Sequence, residues 1–275
     1  MNLSSRNLRL RRFYYPHTRR GLIVPIDHGL TLGPISGLEK MSEMARWIKH
    51  SGITGIITHK GMAKRLADNN LIGNAALIVH LNGANIGSAN PDRKELLTSV
   101  ESALRLGADG VSIQVNFDGK TDERNLVVLG KVVDEAQNYG LPVLTMVYDK
   151  APLQGRDEDI ARQRHLMRIA VELGSDALKI APPKHLADIE KIIYGLTDHT
   201  DVYFAGGSIT SEQAVLEMTD AIVRSGGTGL CVGRNVFQNL EPNDLLSRIS
   251  LRLHGSAAVV SNRQIISPSR GVSLQ

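Results

Sequence analysis

One phrase recurs four times along the chain: glycine, two residues, glycine or alanine, then an apolar residue, any residue and a final residue. It reads GITGIIT from Gly52, GADGVSI from Gly107, GSDALKI from Gly174 and GGTGLCV from Gly226, with Thr58 the one polar final position. Each copy opens a short apolar run, and four further runs lie between the copies: LIVPID from Leu22, ALIVHL from Ala76, PVLTMVY from Pro142 and DVYFAG from Asp201. Amphipathic segments separate these runs, and no linker divides them. Leu166, Ile169, Ala170 and Leu173 fall at helical spacing before Gly174 as a stop. A second helix starts at Thr210, with Gln213 three residues on as a capping box, and ends at Gly226. Eight strand–helix units of this length predict the α/β class, as a single (β/α)8 TIM barrel. The expected organisation is an N-terminal basic extension (1–21), the barrel (22–255) and a short C-terminal tail (256–275). A chain of 275 residues, 42% hydrophobic and 22% charged, suits one large core.

The phrase also sets which residues face inward. Alternate strands of such a barrel send side chains to the same interior layer. The sixth position holds Ile57, Ser112, Lys179 and Cys231. Small or polar members at three of the four place this position in the lumen and turn the flanking apolar residues toward the helices. Two residues on, His59, Gln114 and Gly233 join the lumen side. Lys179 therefore points into the barrel, where its charge is costly to keep. It is either half of a buried ion pair or a nucleophile. Desolvation would lower its pKa toward about 7–8 and free the lone pair to attack a carbonyl.

Asp27 closes the first run and Tyr148 the fifth, so both reach the face where barrel enzymes work. A carboxylate and a phenol there can move protons during carbon–carbon bond chemistry beside an iminium, although Asp-His-Gly after a strand is also ordinary turn chemistry. The seventh and eighth runs lead into AGGSIT and VGRNVFQ. Glycines in those loops let backbone N–H groups approach an anion, and Arg234 adds a cation matched to phosphate oxygens. The phosphate candidates are Gly206, Gly207, Ser208, Gly233 and Arg234. His28, His59 and Lys60 are candidates for further substrate contact. His28, His59 and His80 together would suit zinc, but no acidic cluster completes that set and Lys179 would have no task. The expected site holds no metal and needs no cofactor beyond a covalent lysine imine.

Charge and cysteine usage narrow the remaining classes. The formal charge of +4 stems largely from Arg6, Arg9, Arg11, Arg12, Arg19 and Arg20. That arm lacks interleaved stacking aromatics beyond FYY, and a solvated or subunit-contacting arm is expected rather than a nucleic-acid surface or a transit peptide. The single cysteine, Cys231, excludes an internal disulfide. No apolar run approaches the roughly 18 residues of a membrane span, so a cytoplasmic protein with no membrane partner is expected.

From about Leu22 to Gly255 the chain resembles the archaeal-type class I aldolases. The likeness rests on VPIDHG, GPISGL, THKG, LIVHLNG, GADGVSIQVN, DALKI, AGG and VGRNVFQ. It is strongest to the branch with 2-amino-3,7-dideoxy-D-threo-hept-6-ulosonate synthase and the amino-heptulosonate-phosphate synthase of aminohydroxybenzoate pathways. The resemblance implies Lys179 as the Schiff-base lysine, Asp27 as general acid/base and Tyr148 as proton donor. It implies a phosphate site around Gly206, Gly207, Gly233 and Arg234, and a homo-oligomer, a pentamer or decamer. The implied substrates are a phosphorylated ketose, such as dihydroxyacetone phosphate or a deoxy-ketofructose phosphate, and an aldehyde such as aspartate semialdehyde. Thiolase-like acyl transfer to coenzyme A on a phosphorylated diketone, or a barrel that binds sugar phosphates without turnover, are the alternatives. Two departures stand out. Asp149, Lys150 and Ala151 replace the family's Pro-Arg-Gly after the tyrosine, and Ser208 and Ile209 replace Pro-Lys after AGG.

Overall fold

The computed structural model describes residues 3–255. Eight strands, β1 (Gly21–Pro25), β2 (Gly55–Thr58), β3 (Ala76–His80), β4 (Gly110–Phe117), β5 (Val143–Asp149), β6 (Ala177–Ile180), β7 (Asp201–Ala205) and β8 (Gly229–Cys231), coincide with the eight apolar runs. They pair in parallel with each sequential neighbour, and the sheet closes where Gly21 lies opposite Gly229. Helices alternate with the strands, making a single (β/α)8 TIM barrel. Among the described residues no helix is long and apolar enough to cross a membrane. The predicted tail, 256–275, lies outside the described residues.

Strand alternation divides the apolar residues into two cores. Leu22, Val24, Ile56, Val111, Leu178 and Ile180 pack outward beneath the helices. Ile23, Ile57, Met146, Ala177, Tyr203 and Cys231 pack against one another in the lumen. The phrase's sixth position does face inward. Helix starts differ in one detail from the sequence reading. Ser211, not Thr210, caps helix Glu212–Ser225, its Oγ accepting from Ala214 N at 3.2 Å. Thr210 N is already engaged by Asn235 Oδ1 at 2.8 Å. The helix ends as expected on Gly226 at φ 82°, a left-handed position that glycine takes without a Cβ clash.

The third position of the phrase has a role that composition does not suggest. Its side chain accepts the backbone N–H of the preceding strand. Leu22 N donates to Thr54 Oγ1 (3.0 Å), Leu77 N to Asp109 Oδ2 (2.9 Å), Val143 N to Asp176 Oδ2 (2.9 Å) and Val202 N to Thr228 Oγ1 (2.9 Å). The strands are thus stapled at the floor in pairs: β1 with β2, β3 with β4, β5 with β6, β7 with β8.

The basic arm packs more closely than a solvated segment would, although the side chains of Arg11, Arg12 and Arg19 stay exposed. It forms helix Leu3–Leu10 and a 3-10 turn, Arg11–Phe13, and drives Phe13, 0% exposed, into the bottom of the lumen. Phe13 O accepts from Thr54 Oγ1 at 2.7 Å and from Tyr203 Oη at 3.0 Å. A Cβ on Gly110 would lie 2.6 Å from Phe13 Cζ, and one on Gly21 2.2 Å from Phe13 O, so both positions need glycine. The arginines meet the carboxylates at the strand starts: Arg12 with Asp109 at 3.0 Å, Arg6 with Asp176 at 3.1 Å and Arg19 with Asp201 at 3.8 Å. The arm is the floor of the barrel. Its positive charge serves acids buried by that packing, and burial pushes Asp201 up to about 6 despite Arg19.

Candidate active site

At the opposite end, the C-terminal ends of the strands surround Lys179. The residue is 6% exposed, and the β5–β6 register sets it beside Met146, whose Sδ is 3.9 Å from Nζ. Cys231 on β8 lies in the same interior layer of the lumen and interacts electrostatically with this amine. Tyr148 follows Met146 by two residues on the inward face of β5, and so stands one layer nearer the mouth, half-buried. Asp27 comes straight after β1 and precedes the short helix His28–Leu32. The structure therefore brings Lys179, Asp27 and Tyr148 to one lumen.

The charges there differ from the sequence reading in one respect. Burial opposes the charge on Lys179, but the anionic forms of Cys231 and Tyr148, and Asp27, outweigh it and raise the amine above the ordinary lysine value. The expected depression is thus corrected. Cys231 is itself pushed up to about 11 by burial and is a neutral thiol at pH 7. The carboxylate of Asp27 is among the groups that favour the ammonium. Burial would raise Asp27 as well, yet His80, Lys179, His28 and His59 together bring it below the usual carboxylate range. The resting pair is an ammonium and a carboxylate.

Three imidazoles border this pair. His80, 3% exposed, has Nδ1 2.8 Å from Ser112 Oγ, and burial takes its pKa down to about 3. His59 sets Nδ1 3.2 Å from His80 O, its ring edge-on to His80 at 5.1 Å, and burial lowers it too. His28 Nδ1 lies 3.6 Å from Asp27 Oδ1, with the ring edge-on to Phe237 and its pKa lowered by burial. At neutral pH all three are uncharged. Among the described residues no three His, Cys, Asp or Glu side chains gather in a way that could hold a metal ion. Lys60 is carried elsewhere: its Nζ donates to Leu97 O at 2.7 Å on the exposed surface.

The loops after β7 and β8 close on each other. Arg234 Nη2 donates to Gly207 O at 3.0 Å. Asn235, buried between the loops, donates through Nδ2 to Gly206 O (3.1 Å) and Ser208 O (3.2 Å). A Cβ on Gly233 would lie 2.6 Å from Pro25 O and 2.8 Å from His28 Cε1, and one on Gly206 2.6 Å from Val232 Cγ2. Gly207 takes φ 65° with open space in front of it. The five phosphate candidates are thus neighbours, with bare backbone beside one guanidinium. Asn235 lies within VGRNVFQ, yet the sequence does not mark it, because a buried amide bridging two loops has no local signature.

The altered loop after Tyr148 is well tied. Asp149 pairs with Arg162 and accepts from Ala151 N at 2.9 Å, while Lys150 Nζ lies 2.9 Å from Asp92 Oδ1 on the loop after β3. Beside Tyr148 this loop walls a cavity of about 480 Å³ that also meets Lys184 and His185.

Comparison with known proteins agrees with this geometry. Residues 21–239 match the model of the DeoC/LacD family aldolases. A 2-amino-3,7-dideoxy-D-threo-hept-6-ulosonate synthase of Archaeoglobus fulgidus is 35% identical over 240 residues, 86% of this chain and 87% of that one. A 2-amino-4,5-dihydroxy-6-oxo-7-(phosphonooxy)heptanoate synthase of Streptomyces griseus is 30% identical over 253 residues, 92% of this chain and 91% of the other. An archaeal fructose-1,6-bisphosphate aldolase, solved with its catalytic lysine covalently bound to the carbinolamine intermediate, superposes with a TM-score of 0.80. Identity there is 22%, over 91% of this chain and 100% of the other, and the likeness is one of fold. By sequence and by architecture, the chain is an enzyme of the DeoC/LacD aldolase family.

Proposed function

We propose that the protein is a class I aldolase in which Lys179 carries a phosphorylated ketone donor as a Schiff base and passes it to, or takes it from, an aldehyde. The observation that carries this reading is Lys179 itself, an ammonium buried in the lumen at the catalytic end of β6 with the Asp27 carboxylate as its counter-charge. Asp27 takes a proton from the ammonium, and the freed amine attacks the donor's carbonyl carbon. The carbinolamine hydroxyl leaves as water with the proton returned by Asp27, which forms the iminium. Asp27, a carboxylate again, takes a proton from the adjacent carbon and later returns it to Tyr148, and the enamine so formed attacks the aldehyde carbon with its electrons. Tyr148 donates the proton that the new alkoxide needs. Release of the product by water reverses the first steps. The neutral His59 and His80 offer hydrogen bonds to donor hydroxyls without adding charge beside the iminium.

The phosphate of the donor fits against Arg234 and the bare backbone of Gly206, Gly207 and Gly233, with Ser208 at the rim. The relatives' names describe seven-carbon amino acids, one of them phosphorylated. This supports dihydroxyacetone phosphate or a deoxy-ketofructose phosphate as donor and an amino-acid aldehyde such as aspartate semialdehyde as acceptor. The reading includes a homo-oligomer and no metal in turnover.

Borohydride added with dihydroxyacetone phosphate tests this. Reduction of the iminium leaves an irreversible mass adduct on the peptide with Lys179 and abolishes activity. Lys179→Met folds but gives neither adduct nor turnover, while Tyr148→Phe still forms the adduct. Dialysis against a chelator leaves the activity intact. An adduct on Lys60, Lys150 or Lys184, or activity that a chelator removes and zinc restores, would defeat the proposal.

A further inference from the structure

One cation at the mouth has no place in the chemistry above. Lys94 lies in the loop of residues 82–98, which follows β3 and folds over the end of β4. The loop is firmly seated. Asn82 Nδ2 donates to Gln114 O at 2.8 Å and receives Gln114 N on Oδ1 at 2.9 Å. Asn82–Gly83 pairs with Glu95–Leu96 as a short antiparallel ribbon, and Asn116 Nδ2 donates to Asp92 O at 2.7 Å.

The charged neighbours of Lys94 are already engaged. Asp92 is paired with Lys150, Arg93 and Arg124 both hold Glu95, and Lys60 donates to Leu97 O. Lys94 closes no ion pair or hydrogen bond among the described residues. It is nonetheless half-buried, and its charge is felt inward by Asp27 and His80 and sideways by Lys150. Burial, with repulsion from Lys150, depresses the Lys94 amine below the ordinary lysine value, although Asp92 and Asp27 oppose this. An oxyanion would relieve both costs.

The barrel order shows whose oxyanion it is. The loop that carries Lys94 spans the ends of β3 and β4, three and four strands from β8, so Lys94 and Arg234 occupy opposite sides of the mouth, with Asp27 after β1 on one arc between them and Lys179 on β6 on the other. A carbon chain anchored by its phosphate near Arg234 and joined to Lys179 must extend its new bond toward the β3–β5 side. The group arriving there is the aldehyde's far end. We propose that Lys94 binds a carboxylate or phosphate at the end of the aldehyde substrate remote from its carbonyl, and so selects anionic over neutral aldehydes. This rests on the aldolase reading for the identity of the ligand, though not for the existence of the anion site.

The test compares wild type, Lys94→Gln and Lys94→Arg with dihydroxyacetone phosphate as donor and three aldehydes: succinic semialdehyde, glyceraldehyde 3-phosphate and butyraldehyde. In Lys94→Gln the kcat/KM ratio of an anionic aldehyde over butyraldehyde falls roughly tenfold or more, the scale of a lost charge-assisted hydrogen bond. In Lys94→Arg the ratio is largely kept. Whichever of the two anionic aldehydes shows the larger fall identifies carboxylate or phosphate as the natural group. An equal change with all three aldehydes, or no change with any, overturns the proposal. A wild type that neither traps on Lys179 nor turns over sinks the aldolase reading separately. Calorimetric titration with 4-hydroxybutyrate and glycerol 3-phosphate, which have no carbonyl, then reads the site directly in protein whose donor site is already filled by the borohydride-reduced dihydroxyacetone phosphate adduct. Binding roughly tenfold weaker in Lys94→Gln sustains it, and equal affinity refutes it.

Discussion

Phe13→Ala removes the ring that plugs the barrel floor and spares the carbonyl that accepts from Thr54 and Tyr203. The loss is therefore that of the side chain alone. Phe13 is 0% exposed, and the wall of its ring includes backbone at Gly110, which has no side chain to swing into the gap. The cavity can collapse only by moving strands, so the cost belongs near the top of the range for truncating a buried phenylalanine, about 3–5 kcal/mol. Against a typical total of about 5–15 kcal/mol, that is a large fraction of the fold's stability. Urea unfolding followed by circular dichroism reads it as a lower midpoint with an unchanged slope. Phe13→Leu, which keeps an apolar group in the floor, loses less than half as much. A loss below about 1 kcal/mol in Phe13→Ala, the level of an ordinary surface change, would refute the claim that the arm closes the barrel.

Arg234→Ala is expected to raise KM for dihydroxyacetone phosphate roughly ten- to a hundredfold, from a contact of about 1.5–3 kcal/mol, while the unfolding midpoint hardly moves. Unchanged kinetics would place the phosphate elsewhere. Stability should also fall as the solution is acidified from about pH 6.5 toward 3, because the unfolded chain then protonates His80 while the folded chain, with His80 down to about 3, does not. His254, lowered to about 4 by burial, acts in the same direction, and Asp201, raised to about 6, opposes it where the folded state binds the extra proton. In His80→Asn the slope of stability against pH over this window should flatten, and an unaltered slope would mean that His80 is not held neutral.

The barrel was legible because glycine-bounded apolar runs cannot be much else at this spacing, and because the fourfold phrase phased every even strand at once. That phase alone turned Lys179 inward. Its protonation was not legible, since it depends on Asp27 from β1 and Cys231 from β8, which only closure of the sheet brings beside β6. The arm misled for a different reason. Six arginines around FYY read as a solvated segment, whereas three of them, Arg6, Arg12 and Arg19, pair with carboxylates at the starts of distant strands. Thr210 and Ser211 are adjacent hydroxyls, and only the loop after β8 decides which one caps the helix. Lys94 lies in a stretch without periodicity, and Asn235 acts across two loops. Neither could be placed before the chain was folded.

The arm touches all four stapled pairs: Thr54 in the first, Asp109 in the second, Asp176 in the third, and Tyr203 with Asp201 in the fourth. It is synthesised before every strand of the barrel, yet its docking site is incomplete until β7 exists. During synthesis the segment Leu3–Phe13 must wait, with its phenylalanine uncovered, while about 190 further residues emerge at roughly 5–20 residues per second. Those contacts span most of the chain and carry the loop-closure cost that makes distant pairings late events in folding. Docking of the arm is thus a closing step that reports a finished barrel, and a ribosome-bound chain cut short before β7 has no complete seat for it.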